Sequence, residues 1–491
     1  MKIEYLRGIG DIRFLSSATR ILCENLNRDD RLDVTFNAAS LVTDAYTVKY
    51  LIDHIKSTDL TPLQKASTEL WFIPARLILT TYKFIDKIID TIQNDIVLYS
   101  AHVGIYDYHP IKRLLKRGFK VVMGGPTATM VDNDLIRLRL SGLGCTMKQL
   151  DNLIIVKGYV DLTTDLYSII KEWKDATIES NDFSTIWDCV NDPFQKHFKV
   201  LHRAMEKYPG SGFNSDFMLN VVVLRNFCVW GKCSFCHYPM MPNNNYIKGC
   251  APETIAQNII DTCKLYGTNN VFLSDGCFIF TPQVEKVLQI LRVNGMYISM
   301  LIRIPYLKDL TIIDKINKYI NMLDIGIESF NDFTLRYINK GYTQRDIFEA
   351  FDNMGKYLNS DIRLNPYLIM DLPYENKDSI INNYEMAIAL QGHMEYKGFE
   401  FRYTPNLLEI TWDTQDKLID GHYIKKDYKG KSQGRHIAFQ FMEELGIIDE
   451  YTYLAQPFQR CGLKGERLES DLYTIPESYT DVFCSKYGVY E

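Results

Sequence analysis

The sequence has no apolar run long enough to span a membrane, and its first residues, MKIEYLRGIGD, contain no apolar signal core. It also lacks a disulfide framework. The 11 cysteines are an odd number, and most of them (Cys23, Cys145, Cys189, Cys250, Cys263, Cys277, Cys461, Cys484) are scattered. A reducing, cytoplasmic setting is therefore expected. There is no global excess of positive charge: the net charge of −6 offers no basic field to nucleic acid, so a partner of that kind is not expected. What is present is ordinary globular material. Hydrophobic residues make up 46% and charged residues 24% of 491, enough for two or three domains.

Period and punctuation predict an α/β organisation. DIVLYSA reads as a strand, YHPIKRLLKRG as an amphipathic helix closed by Gly118, and FKVVMGG as the next strand, after which Pro126 breaks the backbone. A strand–helix–strand of this length is a parallel crossover unit. NLIIVKG (152–158) adds another buried strand, and a helix follows from about Thr164 to Trp173. Residues 60–92 read as mostly helical, and 174–217 as a polar linker or cap. From residue 219 apolar strands fit at 219–225, 270–274, 297–303, 322–327, 362–370 and 398–403. Helical patterns follow the first five; in one, PETIAQNIIDTCKLYG, Pro252 suits the first turn and Gly267 the stop. Six such repeats predict a parallel barrel or part of one, with its chemistry at the C-terminal strand ends. The tail, 405–491, is mixed and Tyr-rich, without repeats.

The densest chemistry lies in VVVLRNFCVWGKCSFCHYP (221–239), where Cys228, Cys233 and Cys236 follow a buried strand with the spacing C-x4-C-x2-C. Soft thiolates this close can converge on one metal centre. One reading is a structural zinc site of Cys228, Cys233, Cys236 and His237, although adjacent ligands 236 and 237 would struggle to reach one ion. The other is an iron–sulfur cluster with three protein ligands, which leaves one iron open to a small molecule. Unrelated core cysteines are a third.

The segment resembles the cluster-binding loop of the radical S-adenosylmethionine (radical SAM) superfamily. That family usually has C-x3-C-x2-C with an aromatic before the last cysteine; Phe235 is that aromatic, and the first gap here is one residue longer. The resemblance extends over 219–403. FLSDGCF (272–278) lies where the family places a short polar motif against the methionine amino group, which makes Ser274, Asp275 and Gly276 candidates; a plain strand-end turn is the alternative. ISMLIRIP (298–305) ends in Arg303, often basic in the family, or else in a surface salt bridge. LDIGIESFNDFTLRYINKGYT (323–343) resembles the fourth strand and its helix, with Glu328 and Ser329 near the ribose or carboxylate of the cofactor, unless they only cap the helix. LNPYLIMDLPYEN (364–376) resembles the fifth strand, where apolar backbone borders the adenine. The resemblance implies a 4Fe–4S cluster and S-adenosylmethionine. In such enzymes reductive cleavage of the sulfonium yields a radical that abstracts hydrogen from an unreactive carbon, and the protein positions the cofactors and excludes water.

KVVMGGPTAT (120–129) resembles the Gly-Gly-Pro turn of the cobalamin-binding domains that precede many radical SAM barrels. Gly124, Gly125, Pro126 and Thr127 are the candidate contacts, since glycine lets backbone approach a large flat ligand. Any parallel crossover fold could use the same glycines. VKGYVD (156–161) stands where relatives carry a Gly-Glu-Gly-Glu-like turn and has diverged. Asp107-Tyr108-His109 resembles the start of a cobalt-ligating motif, but Lys112 replaces its glycine and the strand is the wrong one, so His109 is not expected to bind cobalt. The remaining cysteines, with no tight pair, read as buried thiols rather than a second cluster.

The expected architecture is α/β: a Rossmann-like, cobalamin-binding-like domain (1–173), a linker or cap (174–217), a partial (β/α)6 TIM-type barrel (218–404) and a mixed extension (405–491). The resemblance implies a radical SAM enzyme, with cobalamin-dependent methylation of an unactivated carbon as the expected reaction. Cobalamin-independent rearrangement, cyclisation or crosslinking is the alternative, and a zinc-stabilised binding protein is a third. Expected partners are a small-molecule or peptide substrate and a reductase, flavodoxin or ferredoxin as electron donor.

Overall fold

The computed structural model describes residues 1–6, 14–37, 85–101, 104–179, 184–189, 193–194, 219–226, 228–233, 236, 244–370, 377–401 and 404–407. The helical reading of residues 60–84, the candidate Phe235, the zinc candidate His237 and the tail beyond 407 lie outside these described residues.

Fifteen strands occur among the described residues. They are β1 (Lys2–Leu6), β2 (Phe14–Ser16), β3 (Asp33–Asn37), β4 (Ile96–Ser100), β5 (Lys120–Gly124), β6 (Leu153–Gly158), β7 (Ala176–Ile178), β8 (Leu219–Val222), β9 (Arg225–Asn226), β10 (Asn244–Asn245), β11 (Asn270–Leu273), β12 (Tyr297–Arg303), β13 (Met322–Glu328), β14 (Arg363–Met370) and β15 (Thr404–Leu407). The first sheet runs β3-β1-β4-β5-β6-β7, parallel throughout. Its central strands β4, β5 and β6 are near-continuous apolar runs, as strands buried on both faces are; Val97, Val121, Met123 and Ile155 are fully buried. Strand order reverses at β1, which has β3 on one side and β4 on the other. A doubly wound sheet offers a ligand crevice beyond the C-terminal strand ends at such a switch point.

The second sheet runs β15-β14-β13-β12-β11-β8-β2, also parallel. Its strands alternate with helices Pro252–Tyr266, Pro282–Val293, Leu310–Tyr319, Gln344–Tyr357 and Lys377–Tyr396. This is the expected partial barrel. On β13, Leu323, Ile325 and Ile327 pack in the apolar core with the helices, while Asp324, Gly326 and Glu328 alternate to the other face, as a two-residue period demands. Pro252 occupies the first turn of its helix and Gly267 stops it, as read from the sequence.

Three features differ from the sequence reading. Pro126 does not break the backbone. It starts the short helix Pro126–Met130, where its missing N–H costs nothing. The sixth barrel strand is β15, paired in parallel with β14; of the anticipated 398–403, the described residues meet the sheet at Glu400, whose carbonyl accepts Leu364 N–H (2.9 Å), and at Phe401, through a bridge to Leu364. The polar 174–217 stretch supplies β7 to the edge of the first sheet and a 3-10 turn at Ser184–Asp188.

β2 was not anticipated. It pairs with β8, so the chain visits the barrel sheet between β1 and β3 of the first sheet. The helix that follows, Ser17–Arg28, ties the two sheets together. Buried Arg20 donates to Cys189 O (3.0 Å) and to Thr262 Oγ1 on the barrel side, and Asn25 Nδ2 donates to Asp161 O (2.7 Å) beside the first sheet.

Candidate functional site

The cysteine loop leaves the C-terminal end of β8, as barrel chemistry requires. Its entry is fixed from β11. Asp275, 3% exposed just past that strand, accepts the backbone N–H of Leu224 (3.2 Å) through Oδ2 and that of Arg225 through Oδ1. Burial pushes this carboxyl up to about 7, against the pull of those two donors. Ser274 N–H donates to Val222 O (3.0 Å). The SDG turn therefore binds backbone: Asp275 clamps the strand end from which the cysteines project.

Cys228 and Cys236 are half-buried and Cys233 is buried, and Cys236 N–H closes a turn on Cys233 O (3.2 Å). The Cys228 thiol is lowered to about 5, first by a hydrogen bond from Cys277, then by the backbone N–H groups of Gly231 and Trp230 and the charge of Arg303. Cys277 is correspondingly raised, because it keeps the proton it shares with Cys228. Burial raises Cys233, while Lys340 and Arg303 pull it the other way. Among the described residues no three His, Cys, Asp or Glu side chains gather as a single-ion site. A four-iron cluster is larger than an ion and takes its thiolates from separate corners. The donors fit it: three soft sulfurs on one loop, one with its thiol shifted toward the ionised form, with two cations nearby to balance a negatively charged cluster.

Those cations are built into the barrel mouth. Arg303, at the end of β12, stacks over the Trp230 ring (4.8 Å to its centroid) and donates from Nη2 to Lys340 O. Its Nε is buried and has no hydrogen-bond partner among the described residues. Lys340 Nζ pairs with Glu328 Oε1 at 3.0 Å, both side chains nearly out of solvent. Burial alone would lower Lys340, but the Glu328 charge beside it more than offsets this, and the ammonium is held charged. Glu328 sits at a register irregularity closing β13 with φ of 68°, a left-handed conformation that costs a non-glycine residue about 1–3 kcal/mol. Strain of this kind, held by a buried ion pair, marks a constrained site.

The structure thus sets Cys228, Cys233, Arg303, Lys340 and Glu328 near one another, with Asp275 holding the strand end before the loop and Cys236 one turn beyond Cys233. It places Ser329 elsewhere: its hydroxyl donates to Asn383 Oδ1 (3.2 Å) and accepts Asn331 N–H (3.1 Å), which closes the turn into the next helix. Sequence reasoning missed Trp230, Cys277, Lys340 and Tyr342. Tyr342 donates to Ile327 O (3.1 Å) and receives both Arg303 and Lys340 over its ring. A tryptophan inside the widened first cysteine gap was the signal that could have found the first of these.

At the first sheet, Gly124 ends β5 and Gly125 (φ 91°) turns the chain; a Cβ there would stand 2.6 Å from Ala101 O. The close approach is therefore to the chain's own backbone. Thr127 is fully buried at the same turn, and its hydroxyl has no partner among the described residues. That orphaned group at the C-terminal strand ends is compatible with a ligand there. Thr129 Oγ1 donates to Gly125 O (3.0 Å) and accepts Gly158 N–H (3.1 Å), which laces the β5 and β6 turns together. His109 is buried in the helix Gly104–Lys116, and burial, with Lys112 and Arg113 nearby, lowers it to about 3.

Fold and loop define a parallel α/β protein with a cysteine-bearing loop at the mouth of a partial barrel. Residues 222–387 match the family model of the radical SAM superfamily, and the chain carries a radical SAM domain there. That domain implies a 4Fe–4S cluster and S-adenosylmethionine. No curated protein matches the sequence. Among solved structures, coproporphyrinogen III oxidase (HemN) from Escherichia coli, described as a radical SAM enzyme, is 18% identical with a TM-score of 0.36, over 46% of this chain and 52% of its own. The match thus spans about half the length of that enzyme. The cobalamin-dependent S-adenosylmethionine radical enzyme OxsB is 11% identical with a TM-score of 0.49, over 99% of this chain and 79% of its own. The radical S-adenosylmethionine methyltransferase TsrM from Kitasatospora setae is 11% identical with a TM-score of 0.45, over 79% and 71%. No helix among the described residues is long and apolar enough to cross a membrane.

Proposed function

We propose that this radical SAM enzyme is a cobalamin-dependent methylase of an unactivated carbon. The observation that carries this reading is a doubly wound parallel sheet, its strand order reversing at β1, placed ahead of the cysteine loop and joined to the barrel by β2 and the helix after it. Gly124, Gly125, Pro126 and Thr127 would form part of the corrinoid site, with the Thr127 hydroxyl as its polar contact. The proposed division of the chain remains 1–173, 174–217, 218–404 and 405–491.

When bound, the cluster supplies the electron that cleaves the sulfonium of S-adenosylmethionine. The chain's own contribution is positional. Cys228, Cys233 and Cys236 hold the cluster and leave one iron for the cofactor. Asp275 fixes the loop entry, Arg303 and Lys340 balance charge, and Glu328 holds Lys340 in place. Ser274, Gly276 and Ser329 stay candidates for cofactor contact, and Phe235 for packing against the cluster. A flavodoxin, ferredoxin or reductase would deliver the electron, and the substrate would be a small molecule or a peptide.

A specific observation favours the cobalamin-free alternative, a radical rearrangement, cyclisation or crosslink: the Gly125 approach is already taken by Ala101. Anaerobic purification after growth with hydroxocobalamin separates the two. The methylase reading expects about one cobalt per chain, a corrinoid spectrum and a methylated product. Iron and sulfide with S-adenosylmethionine cleavage but no cobalt would support the alternative.

A further inference from the structure

The gap between the first two cysteines holds four residues, Val229, Trp230, Gly231 and Lys232, and the structure shows what the second of them does. Trp230 sits on the turn Asn339-Lys340-Gly341, more than a hundred residues along the chain. Its Nε1–H donates to Asn339 O (2.7 Å). Its ring lies against Gly341, whose φ is 74°, and a Cβ at that glycine would overlap the indole. Arg303 covers the ring at 4.8 Å while it holds the same turn through Lys340 O, and Lys232 approaches the ring at 5.1 Å. Asn339 takes φ of 56° to present its carbonyl. Gly231, also left-handed at φ 57°, turns the chain immediately after the docked indole, so the loop can come back to Cys233. Asn339 O and Gly341 receive the indole directly, while Lys340 is held by Arg303 and Glu328.

We propose that Trp230 is a positioning residue, a pin seated on the Asn339–Gly341 turn that takes up the extra residue of the cysteine gap and pre-shapes the loop for its cluster. The inference rests on the cluster reading of Cys228, Cys233 and Cys236. The pin draws slack out of the loop toward β13 and leaves Cys228 and Cys233 on the inner side with Arg303 and Lys340.

The test uses the full chain, purified anaerobically, with two readouts. The first is Trp230 emission in the cluster-free protein, taken as wild type minus Trp230→Phe, with acrylamide quenching. The second is iron bound per chain across a titration of iron and sulfide. Gly341→Ala should expose Trp230 to quencher, red-shift its emission and weaken cluster uptake roughly 10–100-fold, the usual effect of losing a supporting contact at a metal site. Trp230→Ala, which leaves the strained turn untouched, should weaken uptake to a similar extent. Deleting Trp230 restores a three-residue gap. Uptake by that variant should recover, and adding Gly341→Ala to it should change nothing further, a non-additivity that a merely structural glycine would not produce. Wild-type uptake by Trp230→Ala, or quenching of Trp230 unchanged by Gly341→Ala, overturns the pin. A wild-type protein that takes up no cluster overturns the cluster reading instead, and the emission arm still decides the pin.

Discussion

Asp275 separates two accounts of the turn after β11. If the carboxylate faced the methionine amino group, its removal would weaken cofactor binding and leave the apoprotein intact. In the folded chain it is engaged otherwise, since both oxygens accept backbone N–H groups, of Leu224 and Arg225, at a position 3% exposed. Asp275→Ala leaves two buried donors without partners. Each costs about 1–3 kcal/mol, so the variant should lose roughly 2–6 kcal/mol. Asp275→Asn keeps one acceptor oxygen and turns an amide N–H2 toward the other donor, so it should lose about half as much. Thermal unfolding of the cluster-free protein, followed by circular dichroism, measures the loss, and iron bound per chain reports on the loop. Both should fall in the order wild type, Asn, Ala. An alanine variant with wild-type melting and iron content, but weakened S-adenosylmethionine binding, would refute the clamp and return Asp275 to the cofactor.

Two further outcomes follow from the same geometry. In cluster-free protein Cys228 should alkylate as a thiolate down to pH about 5, and Cys277→Ala, which removes its hydrogen-bond donor, should move the alkylation midpoint upward; an unmoved midpoint contradicts the pairing. Asp324 lies inside the barrel and accepts Asn365 Nδ2–H (2.6 Å), and burial raises it from 3.8 to about 7. The folded chain then holds a proton that the unfolded chain has released, so this group's stabilising contribution is full below pH 3.8, is lost as pH rises toward about 7, and stays flat above. Asp275 titrates over the same window, so Asp324→Asn should make the fall of melting temperature with pH shallower rather than abolish it, and an identical slope in the variant contradicts the assignment.

The framework was legible because its strands are apolar runs closed by turn residues. β4, β5, β6 and the five strands from β8 to β14 in the barrel sheet lie within a few residues of where the pattern put them. β15 was placed a few residues early because buried Phe399 and Phe401 carry the apolar signal, while only a bridge at Phe401 precedes the ladder that starts at Thr404. β2 was invisible: three residues carry no period, and its partner β8 lies about two hundred residues away. The cysteine triad was legible as a local spacing. Its support was not, because Asp275, Arg303, Lys340 and Trp230 come from four separate strand ends and turns, and pairing between them is a property of the folded barrel alone. Asp275 and Arg303 were picked out as residues, yet their partners proved to be backbone groups and an indole, which no motif announces.

The central claim is that Cys228, Cys233 and Cys236 hold a 4Fe–4S cluster with one iron left for S-adenosylmethionine. Electron paramagnetic resonance of the reduced, anaerobically reconstituted protein tests it most directly, with and without S-adenosylmethionine. The account predicts about four irons per chain, a cluster signal that changes when the nucleotide is added, and loss of both in the Cys228→Ala, Cys233→Ala and Cys236→Ala variants. A colourless protein, or a signal indifferent to the nucleotide and retained in those variants, would contradict it.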